Sequence, residues 1–399
     1  MTGRLEDVVV VGGSVAGYRT ASALRRRGYD GRLRMVSAEP LDNYYRPALS
    51  KGFLGGDQEE ANLVLPISDD LGLDVWSGVE ATALDPVSRR LTVGRGGESV
   101  ELAYDGLVIA TGLAPRRLPL PDLAGIHYVR ELADARRLRS ELAAGPRVVV
   151  IGGGLVGCET AATCRGLGLD VTVVDIADRL LEPVLGSAVA TIVTDLHRAH
   201  GVQVRTGVGL AGVHGHGRVE SVTLSDGTQL PADVVVVAVG SVPRTGWLSG
   251  SGLHLADGVL CAGNLGVLGA ESVVAVGDVA RIEAPNGTTV RIEHWENAVR
   301  QADAAARTLL EGNDAPPFTA HTMFWSTQYT LQIHVLGRPS AGDGLHLLEG
   351  CLEDLDATGA YHWGDRVTGI VTLNGPARLR AHRHLLDGAL AVNLAGGKS

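Results

Sequence analysis

The sequence predicts an α/β protein: two Rossmann-like dinucleotide-binding domains, then a C-terminal α+β domain. Three observations carry the prediction. A strand, glycine turn, helix, strand and acid follow one another from Asp7 to Glu39, and the same unit returns from Val148 to Asp175, about 140 residues on. A later strand of each unit closes on the same kind of ending, Ala110-Thr-Gly112 and Ala238-Val-Gly240. Beyond Pro316-Pro317 the pattern changes to short strands and one closing helix.

Asp7–Val11 reads as a buried strand that enters Gly12-Gly-Ser-Val-Ala-Gly17, and a helix then runs to about Arg27. Ser14 stands where the middle glycine of G-x-G-x-x-G belongs. Its Cβ limits backbone approach, but its hydroxyl can donate to a phosphate oxygen. Gly12-Gly-Ser14 also fits a hydrolase nucleophile elbow, although an elbow serine normally follows several strands and the repeated unit explains the same residues. Leu33–Val36 is the next strand, and Glu39 follows it.

Asn43-Tyr-Tyr-Arg-Pro-Ala-Leu-Ser-Lys51 reads as a loop. Its Tyr and Arg can cover a planar ring and Lys51 can place one charge; a solvated loop fits equally well. Residues 75–104 alternate apolar and polar at Val75–Trp76, Leu91–Val93 and Val100–Leu102, which predicts a small antiparallel sheet inserted in the first unit. Tyr104–Gly112 returns to the main sheet, and Pro115, Pro119 and Pro121 mark a linker.

Ala133–Leu142 reads as a helix, and Val148–Ile151 then leads into the full fingerprint Gly152, Gly154, Gly157. Gly152 allows the turn, Gly154 lets backbone approach a pyrophosphate, and Gly157 lets helix lie close on strand. Leu155 and Val156 belong to the same loop, and a helix-forming run begins at Glu159. Phosphates would sit on the free N–H groups at the helix start. Asp175 closes the strand Val171–Val174, where an acid binds a ribose hydroxyl.

Ala188–His200 is another helix and Val202–Thr206 a strand. Val219–Leu224 and Thr228–Leu230 flank Asp226-Gly227 as a hairpin. Asp233–Gly240 is a buried strand, with a boundary near Val242–Pro243. Ser272–Asp278 is a strand ending in Gly277 and a carboxylate, and Glu293–Leu310 is a helix with Trp295 in its first turn. Leu331–Val335 and Arg366–Leu373 are strands, before a helix near Ala377–Asp387.

Composition narrows the function. With 399 residues the chain can bury two or three cores, and its 54 Gly and 4% aromatics suit many βα turns. The net charge of −10 argues against a nucleic-acid surface. Cys158, Cys164, Cys261 and Cys351 form no C-x-x-C pair, which argues against a redox disulfide, thiolate zinc or an iron–sulfur cluster. The pairs His197/His200, His214/His216 and His382/His384 lack further ligands, so surface or helix-end roles and no metal are expected. The N-terminus lacks a signal-peptide layout and no apolar run is long enough to span a bilayer, which predicts a cytoplasmic protein with no membrane contact.

The two units, Arg46-Pro-Ala-Leu-Ser-Lys51, Gly277-Asp278 and Phe324-Trp-Ser-Thr-Gln-Tyr329 occur in one order. That order resembles the FAD-dependent ferredoxin reductases of the putidaredoxin reductase and rhodocoxin reductase type, over essentially the whole chain. The resemblance implies a split FAD domain (1–112 and 243–315), an inserted NAD domain (113–242) and a C-terminal domain (316–399) that helps cover the flavin.

By the same resemblance Gly12, Ala16 and Gly17 line the FAD pyrophosphate, beside the hydroxyl of Ser14, Glu39 lies near the adenosine ribose, and Arg46 and Lys51 are on the flavin side. Ala81, Thr111, Gly112 and Arg130 are further contacts, Gly277 and Asp278 reach the ribityl chain, and Trp295 and Trp325 lie against the ring. Gly152, Gly154, Leu155, Val156, Gly157, Asp175 and Gly240 take the NADH. Glu159 matches a carboxylate facing the flavin, which a pair with Lys51 would fix; taken alone, an acid there also suits a helix N-terminus. Thr327 stands where the family commonly has Asp.

The implied reaction takes hydride from NADH onto FAD and passes single electrons to an iron–sulfur ferredoxin, with Lys51 and Glu159 as the catalytic pair. The ferredoxin would serve a haem-thiolate monooxygenase or a dioxygenase. Arg25-Arg-Arg27, Arg116-Arg117 and Arg378/Arg380/Arg383 are candidate docking patches on a monomer or homodimer. Other readings are a rubredoxin, nitrite or quinone reductase, or a non-catalytic NAD(H)-sensing flavoprotein.

Overall fold

The structure, a computed structural model, describes residues 5–40, 43–284, 286–319, 322–342 and 344–386. Two five-stranded parallel sheets carry the two fingerprints. The first runs Val273–Ala275, Gly106–Ile109, Asp7–Val11, Arg32–Ser37, Leu73–Ser77. The second runs Gln203–Arg205, Val171–Val174, Val148–Ile151, Val234–Val237, Ile126–His127. Continuous valine runs suit strands covered on both faces, and Val8–Val10 and Val148–Val150 are all buried. Each fingerprint strand lies between the strand leading to the acid and the strand leading to Ala-x-Gly, so these ends gather at one edge of the sheet.

The two glycine turns are nearly superimposable in their demands. Gly12 and Gly152 have φ of 119° and 104°, and a Cβ on either would lie 2.3 Å from the carbonyl oxygen of Ala110 or Ala238. A Cβ on Gly17 or Gly157 would lie 1.9 Å from the carbonyl oxygen of Gly12 or Gly152. The glycines therefore let helix and strand close on each other.

Several elements differ from expectation. The second fingerprint helix is Leu155–Gly166 and starts directly after Gly154, not at Glu159. Gly157 is a poor helix former, but the missing Cβ is what the packing requires there, so tertiary contact overrides propensity. Val75 and Trp76 lie on the parallel edge strand Leu73–Ser77, and the antiparallel sheet is Glu80–Asp85, Arg90–Arg95, Glu98–Ala103. Alternation identifies a half-buried strand without naming its partner. The helix expected from Ala188 is Glu182–Ala199, interrupted at Gly186 with φ 70°.

The C-terminal region forms an antiparallel sheet in the order Met323–Gln328, Leu331–Gly337, Arg366–Leu373, Asp356–Trp363, Gly344–Cys351. Its closing helix is only Pro376–Ala381, followed by a 3₁₀ turn at Arg383–Leu386; Asp387 lies outside the described residues. Phe324, Leu331, Ile333 and Val371 share one core with Val150, Leu185 and Val189 of the second unit. That shared core sets strand Met323–Gln328 beside helix Leu155–Gly166. The long helix, expected from Glu293, is Trp295–Glu311, and it packs on the first fingerprint helix Val15–Arg26. No helix among the described residues is long and apolar enough to cross a membrane.

Candidate active site

A long cleft opens at the end of the first sheet. Its deeper half is lined by Ser14, Ala16, Lys51, Thr111, Gly112, Arg130, Asp278, Trp295 and Trp325, among others. Its outer half continues past Gly12, Ala81 and Trp247, and both halves share Ser14, Glu39, Arg46, Thr111 and Arg244.

The cleft is polar in its outer part and aromatic at its inner end. Arg46 gathers the outer part: its guanidinium donates to Ser14 Oγ (3.0 Å), Tyr44 Oη (2.7 Å), the Arg130 carbonyl (3.1 Å) and Glu39. Tyr44 donates in turn to Glu39 Oε2 at 2.6 Å. Burial, with Glu39 beside it, pushes the Tyr44 phenol well above its usual range despite the nearby Arg46. Arg130 donates to Asp278 Oδ2 at 3.1 Å and to the Leu113 carbonyl at 3.2 Å. Thr111 Oγ1 donates to the Arg244 carbonyl at 2.8 Å, and Gly112 takes φ 63°. Gly277 turns at φ 77°, where a Cβ would meet that of Ala16 at 2.9 Å. Farther in, Trp295 meets Tyr45 edge to face at 5.2 Å, and Trp325 projects from strand Met323–Gln328.

Leu155, Val156 and Glu159 of the second fingerprint helix line this same cleft. Glu159 is 5% exposed. Its Oε2 accepts from Ser50 Oγ and Lys51 Nζ, both at 2.6 Å, and its Oε1 accepts from Ser326 Oγ at 2.7 Å. Lys51 Nζ also donates to the Pro47 carbonyl at 2.9 Å. The ion pair thus joins the loop after the first unit to the helix of the second. Glu159 lies in the second turn of its helix, so its position is set by Lys51, Ser50 and Ser326 more than by the helix end.

The remaining expected nucleotide residues stand apart from this cleft. Gly152, Gly154, Asp175 and Gly240 surround the second glycine turn, which the Ala238 carbonyl overlies. Asp175 accepts from the Gly153 N–H and, at 2.7 Å, from the Ala177 N–H. It therefore braces the loop that it borders. Around Gly154 a Cβ would meet nothing within 4 Å, leaving open space over the turn.

Sequence reasoning missed Ser50, Ser326, Arg244 and Glu131. Ser50 and Ser326 lay inside the motifs already singled out, so position was legible and role was not. Arg244 pairs with Glu131 and spans the two chain crossings between units, a contact between residues over a hundred positions apart. The histidine expectation also needs correction. His197 is fully buried and bonded to Gln328 and Tyr329, because its helix face turns into the core shared with the C-terminal sheet. Among the described residues no group of three or more His, Cys, Asp or Glu is arranged to hold a metal. All four cysteines are free, and burial pushes the Cys164 and Cys261 thiols up to about 12 and raises that of Cys158 as well.

Two glycine turns, one long cleft with aromatic and cationic ends, and a carboxylate joining them define a two-nucleotide oxidoreductase. The chain belongs to the pyridine nucleotide-disulphide oxidoreductase family, whose model matches residues 6–302, with a reductase C-terminal model matching residues 323–395. It is 33% identical to putidaredoxin reductase of Pseudomonas putida, with 99% of this chain and 95% of that protein covered. It is 35% identical to the ferredoxin reductase component of chlorobenzene dioxygenase from Cupriavidus sp., covering 97% and 94%. The solved covalent complex of putidaredoxin reductase with putidaredoxin matches with a TM-score of 0.89 at 32% identity, over 98% of this chain and 96% of that one. Its cofactors are FAD and NADH. The first cleft fits FAD by the cations Arg46, Arg130 and Lys51 along it and by the two tryptophans at its inner end.

Proposed function

We propose that this protein is an NADH-dependent reductase of an iron–sulfur ferredoxin that feeds a haem-thiolate monooxygenase or a dioxygenase. The observation that carries the reading is the entry of Glu159, from the helix of the second glycine turn, into the cleft of the first, where it meets Lys51. One nucleotide site thereby opens onto the other. FAD, when bound, supplies the conversion between the two-electron chemistry of NADH and one-electron transfer.

The chain's own residues bind, orient and exclude. Gly12, Ser14 and the N-terminus of helix Val15–Arg26 receive the pyrophosphate, with Arg46 as counter-charge. Glu39 takes the ribose, Asp278 held by Arg130 takes the ribityl chain, and Ala81 closes the adenine end. Trp295 and Trp325 shield the ring from water. Asp175 selects NADH, since a carboxylate there repels a 2′-phosphate. Lys51 and Glu159 hold opposite charges where hydride is transferred. Cys158, Cys164, Cys261 and Cys351 are all free, so a bound FAD would pass electrons outward without a disulphide of this chain.

The sheet order supports the domain division expected from sequence. Val273–Ala275 adds to the first sheet, and Leu113–Pro115 and Ser241–Pro243 pair where the chain leaves and re-enters it. Of the candidate basic patches, Arg25 is spent on three backbone carbonyls, Arg27 pairs with Asp303, Arg117 lies over Tyr128 and Arg378 pairs with Asp356. We place the protein in the cytoplasm as a monomer or homodimer.

The test is NADH oxidation coupled to cytochrome c reduction. The expected result is a flavin spectrum bleached by NADH and cytochrome reduction that rises with added iron–sulfur ferredoxin. Bleaching without any ferredoxin dependence would move the reading to another reductase of this architecture, and a protein that carries no flavin would end it.

A further inference from the structure

We propose that His197 is a positioning residue for Glu159, acting through Gln328 and Ser326 across three elements of the fold. His197 lies on helix Glu182–Ala199, Gln328 and Ser326 lie on strand Met323–Gln328, and Glu159 lies on helix Leu155–Gly166. His197, Gln328 and Ser326 are fully buried. The bonds run in series: His197 Nε2 to Gln328 Oε1 at 2.9 Å, Gln328 Nε2 to Ser326 Oγ at 3.1 Å, and Ser326 Oγ to Glu159 Oε1 at 2.7 Å.

Donor and acceptor roles fix the direction of the chain. A carboxylate only accepts, so Ser326 must give its one proton to Glu159. Ser326 then accepts from the Gln328 amide nitrogen, which turns the amide oxygen toward His197. His197 must therefore carry its proton on Nε2, leaving Nδ1 to accept from the Tyr329 hydroxyl at 3.0 Å. Every group in the series is satisfied in this one arrangement and in no reversed one. Burial agrees, since desolvation depresses the His197 imidazole to about 4 and keeps it neutral.

The far end of the series is held at a cost. Tyr329 takes a left-handed backbone at φ 55°, which a bulky residue rarely adopts. Its ring stacks on His200 with centroids 3.7 Å apart and planes 11° from parallel, and its hydroxyl reaches His197. A strained residue anchored at both ends of its side chain fits a part whose position matters.

The consequence falls on Glu159. The terminal torsion of a Glu side chain is soft and two-fold. Here Ser50 and Lys51 hold one oxygen and Ser326 the other, so the carboxylate plane is fixed from two sides. The lysine side alone leaves Oε1 free to swing. The inference rests on the reading that Glu159 takes part in hydride transfer.

The experiment uses the FAD-loaded enzyme and measures single-turnover reduction by NADH, giving a limiting rate and an apparent NADH affinity. The first variant is the double replacement His197→Leu with Gln328→Met, which removes both partners and leaves no orphaned donor between them. The second is Ser326→Ala, which breaks the last link alone if the double replacement does not retain FAD. Each is made with and without Glu159→Gln. The expected result is a limiting rate lowered about fivefold with NADH affinity unchanged within about twofold, and no further loss in the Glu159→Gln background. Made singly with Gln328 intact, His197→Gln keeps a donor toward Gln328 and recovers most of the rate that His197→Leu, also made singly, loses. Additive losses, or a parental rate in both broken variants while Glu159→Gln is slow, overturn the inference and leave the Glu159 reading intact. A parental rate in Glu159→Gln overturns that reading and the inference with it.

Discussion

Glu159→Gln is the perturbation with the clearest consequence. It keeps the shape of the side chain and removes its charge. In the parent protein the carboxylate is 5% exposed and accepts three hydrogen bonds, one of them from the Lys51 ammonium at 2.6 Å. A hydrogen bond to a charged group contributes about 1.5–3 kcal/mol. The nicotinamide ring of NADH gains positive charge as it gives up hydride, so the attraction to a nearby carboxylate grows between ground and transition states, and only such growing interactions accelerate the step. If the full contribution appears in the barrier, the rate of flavin reduction falls by about 10- to 150-fold. Stopped-flow absorbance of the flavin after mixing with NADH reads that rate directly. The same variant leaves Lys51 without its counter-charge, so its affinity for anionic nucleotides rises. A variant that holds FAD and reduces it within about twofold of the parental rate would show that the pair is only a structural link.

The other predictions concern the nucleotide turns and pH. Gly157→Ala places a methyl 1.9 Å from the Gly152 carbonyl oxygen, so the second turn must open; NADH binding by titration should weaken about 5- to 150-fold while the bound-flavin spectrum persists, for a strain of about 1–3 kcal/mol. Loss of flavin instead would mean that this turn serves the other nucleotide. Asp175→Ser removes the charge and the brace on Gly153 and Ala177 together; the NADH KM should rise and the preference over NADPH shrink by about tenfold, and an unchanged ratio of kcat/KM for the two refutes the role. The imidazole of His197 is depressed to about 4 in the folded protein from its usual 6.5. Its contribution to stability is therefore complete above about 6.5 and lost as pH falls toward about 4, where the unfolded chain takes up a proton that the folded one refuses. The loss approaches about 3 kcal/mol, and the thermal midpoint of His197→Gln should fall less steeply over this window than that of the parent. Parallel slopes would exclude His197 as the source.

How much of this was legible in sequence can be seen at Gly152 and Glu159. Glycine spacing after an apolar run is local information, because the turn, the close helix and the valine strands are all decided by neighbours in the chain. The same holds for Asp7–Val11, Ser14 and the two Ala-x-Gly endings. What misled was also local. The helix-forming run of residue types begins at Glu159, yet the helix begins at Leu155 because close packing at Gly157 outweighs the propensity cost. The His197/His200 spacing gave a helix face but could not say that the C-terminal sheet would cover His197.

The sequence by itself determined two repeated nucleotide turns, their order, and the residue types at each. Those follow from steric limits on a few bonds and from hydrophobic periodicity, both written within some thirty residues at a time. Only the tertiary structure decided that Glu159 leaves its own turn to enter the other cleft, and that Ser50, Lys51 and Ser326 converge on it from positions more than a hundred residues away. The physical reason is burial. A carboxylate taken out of water needs partners, and the chain supplies them only where the C-terminal sheet and the Ser50–Lys51 loop both pack against the second fingerprint helix.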